Sequence, residues 1–187
     1  MDEKKFLDEY LQLYKDALFG IDMTEMFQSM RDIVVECSAR GNKVIFAGNG
    51  ASAGIASHSS VDFTKQGGIR SINFNEAGLI TCFANDYGYE KWVQKAIEFY
   101  AEPGDVVVLI SSSGKSPNIV QAAKYARDTG LKLITFTGFA EDNPIKSNGD
   151  LNFWVNSHAY NIIECTHQIW LLTVCDLIIG NAEYSVS

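Results

Sequence analysis

The chain has 187 residues, of which 47% are apolar and 20% charged, with a formal net charge of −8. That length and balance predict one folded domain, residues 1–187, with a sizeable core, and they leave no basic face for nucleic acid. The start, Met1-Asp2-Glu3-Lys4-Lys5, leads into no apolar run, no stretch reaches membrane-spanning length, and Cys37, Cys82, Cys165 and Cys175 have no CxxC spacing. The expectation is a cytoplasmic protein with buried, reduced thiols, no signal peptide and neither nucleic acid nor membrane among its partners.

Taken in order, Phe6, Leu7, Tyr10, Leu11, Tyr14 and Leu18 recur at helical spacing and predict an amphipathic helix over 3–19. A second helix is predicted from about Met23 to Ala39, with Asp22 as its N-cap. Lys43–Ala47 reads as a buried strand and Ala51–Lys65 as a helix of small residues, ended by Gly67-Gly68. A short strand at Ile69–Phe74 precedes helices at Glu76–Asn85 and Glu90–Tyr100. Val106–Ile110 is the second buried strand, and Pro117 suits the first turn of the next helix, which Gly130 closes. Leu131–Thr137 and Leu151–Val155 are further strands around a loop or short helix at 141–148, and a last helix covers Tyr160–Ile179. Apolar strands alternating with helices predict an α/β fold with a mainly parallel sheet covered on both faces. The two leading helices then need an apolar surface to rest on, and another subunit is the simplest one.

Two turns carry the functional signal. Gly48-Asn49-Gly50-Ala51-Ser52 follows the first buried strand, and Ser111-Ser112-Ser113-Gly114-Lys115-Ser116 follows the second. A strand that ends in small polar residues and opens a helix presents backbone N–H groups, hydroxyls and a positive helix end, a combination suited to phosphate. Two such turns predict a phosphorylated ligand lying across the carboxyl ends of a parallel sheet.

These turns, together with Ala84-Asn85-Asp86-Tyr87-Gly88-Tyr89-Glu90, Pro103-Gly104-Asp105-Val106 and a last helix bearing Glu164, His167 and Cys175-Asp176-Leu177, resemble the sugar isomerase (SIS) family, and within it the phosphoheptose isomerases. The resemblance implies a three-layer α/β/α sandwich with a five-stranded sheet, a homotetramer with active sites at subunit interfaces, and an open-chain sugar-phosphate ligand. It places Ser111, Ser112, Ser113 and Ser116 on the phosphate, and Asn49, Gly50, Ala51, Ser52 and Asp86 on the sugar. No nucleotide cofactor is implied.

The implied reaction is an aldose–ketose interconversion, which needs a carbon base and a group that handles the two oxygens. Asp62 falls where the family's catalytic glutamate stands, one methylene shorter, and His58 matches a histidine on the same helix. Glu164 replaces a glutamine, and Leu172 stands at the catalytic histidine position. Asp62, Glu164 and His167 are therefore the candidate catalytic residues. His58, Asp62 and Glu164 are the candidate set for zinc or another divalent ion. Loss of the histidine at Leu172 keeps a second expectation open, a phosphosugar-binding or regulatory SIS protein without catalysis.

Overall fold

The computed structural model describes residues 1–185. In chain order the elements are α1 (Glu3–Phe19), α2 (Thr24–Ala39), β1 (Val44–Gly48), α3 (Ala51–Lys65), β2 (Ser71–Asn73), α4 (Ala77–Tyr87), α5 (Trp92–Tyr100), β3 (Val106–Ile110), α6 (Pro117–Asp128), β4 (Lys132–Thr137), β5 (Leu151–Trp154) and α7 (Tyr160–Ile179). The five strands form one sheet in the order β2-β1-β3-β4-β5, and every neighbouring pair is parallel.

Side chains alternate across the sheet with the two-residue period of a strand. Val44, Phe46, Val106, Val108 and Phe136 join Met30, Val34, Phe63, Trp170 and Val174 of α2, α3 and α7 in one core. Ile45, Ala47, Val107, Leu109 and Leu133 join Trp92, Ile97, Ile119 and Ala122 of α5 and α6 in the other. A sheet covered on both faces needs apolar residues at consecutive positions, which is why β1 and β3 read as unbroken apolar runs. The result is the expected three-layer sandwich.

Several boundaries differ for local reasons. Met23, not Asp22, holds the N-cap position of α2, and the Asp22 carboxylate instead accepts the Thr24 N–H at 2.9 Å. Glu76 caps α4 through bonds from the Gly78 and Leu79 N–H groups, so that helix begins one residue later than expected. Among the cysteines, Cys37 and Cys175 are buried, but Cys82 and Cys165 are exposed, so the expectation of four buried thiols holds for two; all four are free. By length and composition α7 could cross a membrane, contrary to the sequence reading. It is apolar because Ile162, Ile163, Trp170, Leu171 and Val174 are packed in the core.

At the amino end of the sheet, Asp105 is fully buried and Lys43 nearly so, and their side chains meet at 2.7 Å. Asp105 also accepts the Lys43 backbone N–H at 2.9 Å, tying the start of β3 to the start of β1.

Candidate active site

The chain winds from β1 outward to β2, then crosses to the other side of β1 to make β3. The order therefore reverses between β1 and β3, and ligands of such sheets bind in the crevice beyond the carboxyl ends of the two strands at that point. Both Gly/Ser turns lie there. Between them is a cleft of about 120 Å³, with Asn49 and Ser52 from the first turn, Ser111, Ser112, Ser113 and Ser116 from the second, Ile110 at its base, and Tyr160 and Glu164 from α7.

The backbone prepares both turns for an anion. Gly50, at φ 56°, occupies the N-cap of α3, and no side chain caps that helix or α6. The Ala51, Ser52 and Asn118 N–H groups stand in these first turns at the positive end of each helix, whereas Pro117 has no N–H and Ile119 donates to Asn118 Oδ1. Ser116 precedes Pro117 in extended conformation, and its hydroxyl makes no cap bond. Gly114, at φ 62°, lets the second turn fold back beneath α6; a Cβ there would stand 2.1 Å from Asn143 Oδ1.

The two turns are fastened together by a reciprocal amide pair. Asn49 Nδ2 donates to Asn118 Oδ1 at 2.9 Å, and Asn118 Nδ2 donates back to Asn49 Oδ1 at 2.8 Å. Tyr89 adds a hydroxyl bond to Asn49 Oδ1 at 3.3 Å. Sequence reasoning missed Asn118, Tyr89 and Tyr160 as parts of this site. Asn118 follows Ser116 by two residues, but its partner is 69 residues away, and nothing local announces that pairing.

Glu164 enters the cleft from the first turns of α7. Burial pushes its carboxyl above the ordinary glutamate value, and a hydrogen bond from the Ser112 hydroxyl offsets only part of that. No Lys, Arg or His lines the cleft, and Lys115 points outward, exposed. A half-buried carboxylate without a counter-charge in its cleft is suited to exchanging a proton.

The remaining expected residues lie elsewhere. Gly50 and Ala51 shape the rim without lining the cleft. Asp86 is exposed on α4, bonded to Asn85 and Cys82, and is not in the cleft lining. His58 and Asp62 form a pair at 3.1 Å on the flank of α3, with the histidine side chain 53% exposed. Asp62 is ten residues beyond Ser52, about 15 Å along the helix, and its charge acts on Cys175, whose thiol burial pushes up to about 12.

His167 departs most from expectation. It shares a helix with Glu164, but three residues of rotation turn it into the core, where its ring meets Phe136 edge-on and its Nε2 lies 3.0 Å from the Thr137 carbonyl. Burial pushes it down to about 4, so it is neutral at ordinary pH. It lies outside the cleft lining.

The candidate metal set does not form within one chain. No group of three His, Cys, Asp or Glu side chains among the described residues could hold an ion. Asp62 faces Cys175, which lies eleven residues, or about 16 Å, along α7 from Glu164.

The sequence pattern of the SIS domain matches residues 9–138. The chain belongs to the SIS-domain family. Within it, the phosphoheptose isomerase of Aliarcobacter butzleri is 33% identical over 162 residues, covering 83% of this chain and 85% of that protein. The probable phosphoheptose isomerase of Thermoplasma acidophilum is 33% identical over 189 residues, covering 95% and 98%. These relatives make the chain a member of the phosphoheptose isomerase family. The solved structure of a phosphoheptose isomerase from Francisella tularensis superposes with a TM-score of 0.88 at 24% identity, covering 97% of this chain and all of that one. The shared fold is the five-stranded parallel sandwich described above.

Proposed function

We propose that this protein interconverts the ketose and aldose forms of an open-chain sugar phosphate in the cytoplasm. The reaction favoured is sedoheptulose 7-phosphate to D-glycero-D-manno-heptose 7-phosphate, which would feed surface-polysaccharide precursors. The observation that carries this reading is a half-buried carboxylate without a counter-charge, Glu164, inside an uncapped, serine-rich cleft between β1 and β3.

In the forward direction a base removes a proton from C1 of the ketose, leaving an enediol. The C2 oxygen gains a proton as the enediol forms; a proton then returns to C2 as the C1 hydroxyl loses its own, which gives the aldehyde. Glu164 is the group in the cleft that can exchange a proton with those oxygens. The serine hydroxyls and the Ala51, Ser52 and Asn118 N–H groups at the starts of α3 and α6 hold the phosphate.

The cleft of about 120 Å³ is small and open on one side. It accepts a phosphate and its nearest carbons, and the rest of a seven-carbon chain extends over the rim. A second copy covering that rim completes the site, and we propose a homotetramer. Exposed Phe6, Leu7 and Leu11 on α1 support this by offering an apolar face. The flank position of the His58–Asp62 pair supports a role for Asp62 as carbon base in a neighbouring copy's cleft. Light scattering that returned a monomer would contradict the assembly.

A second reading, ligand binding without turnover, is favoured by Leu172 at the family's catalytic histidine position. Proton NMR of sedoheptulose 7-phosphate with the protein in deuterated buffer separates the two. New aldose signals, or deuterium on the exchanging carbon, support the isomerase; a raised melting temperature without exchange supports the binding protein.

A further inference from the structure

The cleft holds a carboxylate where an anion site ordinarily holds a cation. Glu164 and the Tyr160 phenol are the ionisable groups among the lining residues. Facing Glu164 from the other elements are the neutral groups Ser112, Ser116, Asn49 and Ser52, and Ser112 donates its hydroxyl to the carboxylate. Lys115, at the tip of the second turn, is exposed and outside the lining.

We propose that Glu164 is a specificity-determining residue, which makes the cleft reject bare tetrahedral dianions and accept a phosphate ester only when that ester also brings a hydroxyl to the carboxylate. A sulfate or inorganic phosphate seated against the serines meets the uncompensated negative charge of Glu164 across the same cleft, where the carboxylate's partial burial weakens screening by solvent. A phosphorylated polyol meets the same charge but donates a hydroxyl to it, a charge-assisted bond of the strong class. Selectivity is the difference between those two outcomes. The small size of the cleft enforces it, because phosphate and carboxylate must be bridged by the carbons next to the ester. The device keeps abundant free phosphate out of a site built from general phosphate-binding parts.

The inference rests on the phosphate-cleft part of the proposed function and not on turnover. Isothermal titration of the full chain with sodium sulfate and with sorbitol 6-phosphate, which has no carbonyl to isomerise, tests it. The wild type should prefer the polyol phosphate by roughly 100-fold or more. In Glu164→Gln, sulfate should bind about tenfold more tightly and the polyol phosphate several-fold more weakly. Glu164→Asp keeps the charge and should keep the wild-type order. Unchanged or weaker sulfate binding in Glu164→Gln overturns the proposal, because a merely structural role weakens both ligands together. So does a Glu164→Asp protein that behaves like Glu164→Gln. If neither compound binds the wild type, the phosphate-cleft reading falls with it. If binding follows the expected order but sedoheptulose 7-phosphate is not converted, the isomerase reading fails and this one stands.

Discussion

The two ends of the same strand pair treat a carboxylate in opposite ways. At the amino end, burial alone would raise Asp105, yet the Lys43 ammonium at 2.7 Å, the Lys43 and Glu102 N–H groups at 2.9 and 2.8 Å, and Asn42 at 3.2 Å hold it below the ordinary aspartate value. At the carboxyl end, burial raises Glu164 and one serine hydroxyl is all that opposes it. A satisfied carboxylate stabilises the fold, whereas an unsatisfied one is left for a ligand. The two are linked, because Val44 pairs with Val106 and Gly48 with Ile110 in one register. The clamp and the turns thus lie at opposite ends of one strand pair.

The comparison can be broken most sharply at Glu164. Glu164→Gln should lower turnover by about 10²–10⁴-fold if the residue moves a proton in the reaction, while the melting temperature stays close to wild type. A large loss of stability instead would make it a second Asp105. Next in size, Asp105→Ala leaves Lys43 with Glu102 alone and should cost about 3 kcal/mol in urea unfolding. Activity per folded molecule should be largely kept.

Acid probes the same pairing without mutation. The folded-state pKa of Asp105 is depressed, so its contribution is complete above the ordinary aspartate value and is lost as pH falls through the native one. Unfolding free energy should therefore decline on the acid side, and Asp105→Asn should flatten that decline. Asn118→Ala should cost about 1–2 kcal/mol, since it removes the buried member of the amide pair and both of its bonds to Asn49, and should weaken sulfate binding by loosening the two turns. The smallest change is expected at Lys115→Ala. With its side chain outside the lining, sulfate affinity should move by no more than about threefold, an exposed-charge effect.

Much of the fold was legible because it rests on local chemistry. The unbroken apolar runs of β1 and β3 required burial on both faces, and the bounds of α3 and α7 followed from Gly50-Ala51 and from the apolar length 160–179. The second turn was legible for the same reason, since all four of its serines reach the cleft. Positions that depend on which way a helix rolls were not. His167 and Glu164 are three residues apart, a spacing that fits one shared face, yet the roll of α7 sends one into the cleft and the other against Phe136. Asp62 likewise follows the phosphate-type turn in sequence but sits near Cys175, far down α3. The Asn49–Asn118 pair needed the β1–β3 register, which no short stretch encodes.

Carbon-13 NMR titration of the side-chain carboxyls, with Glu164→Gln and Asp105→Asn for assignment, tests the difference between the two ends most directly. Glu164 should titrate above the ordinary glutamate value and Asp105 below the ordinary aspartate value in the same sample. Both groups titrating at their ordinary values, or Glu164 falling below its own, would contradict that difference.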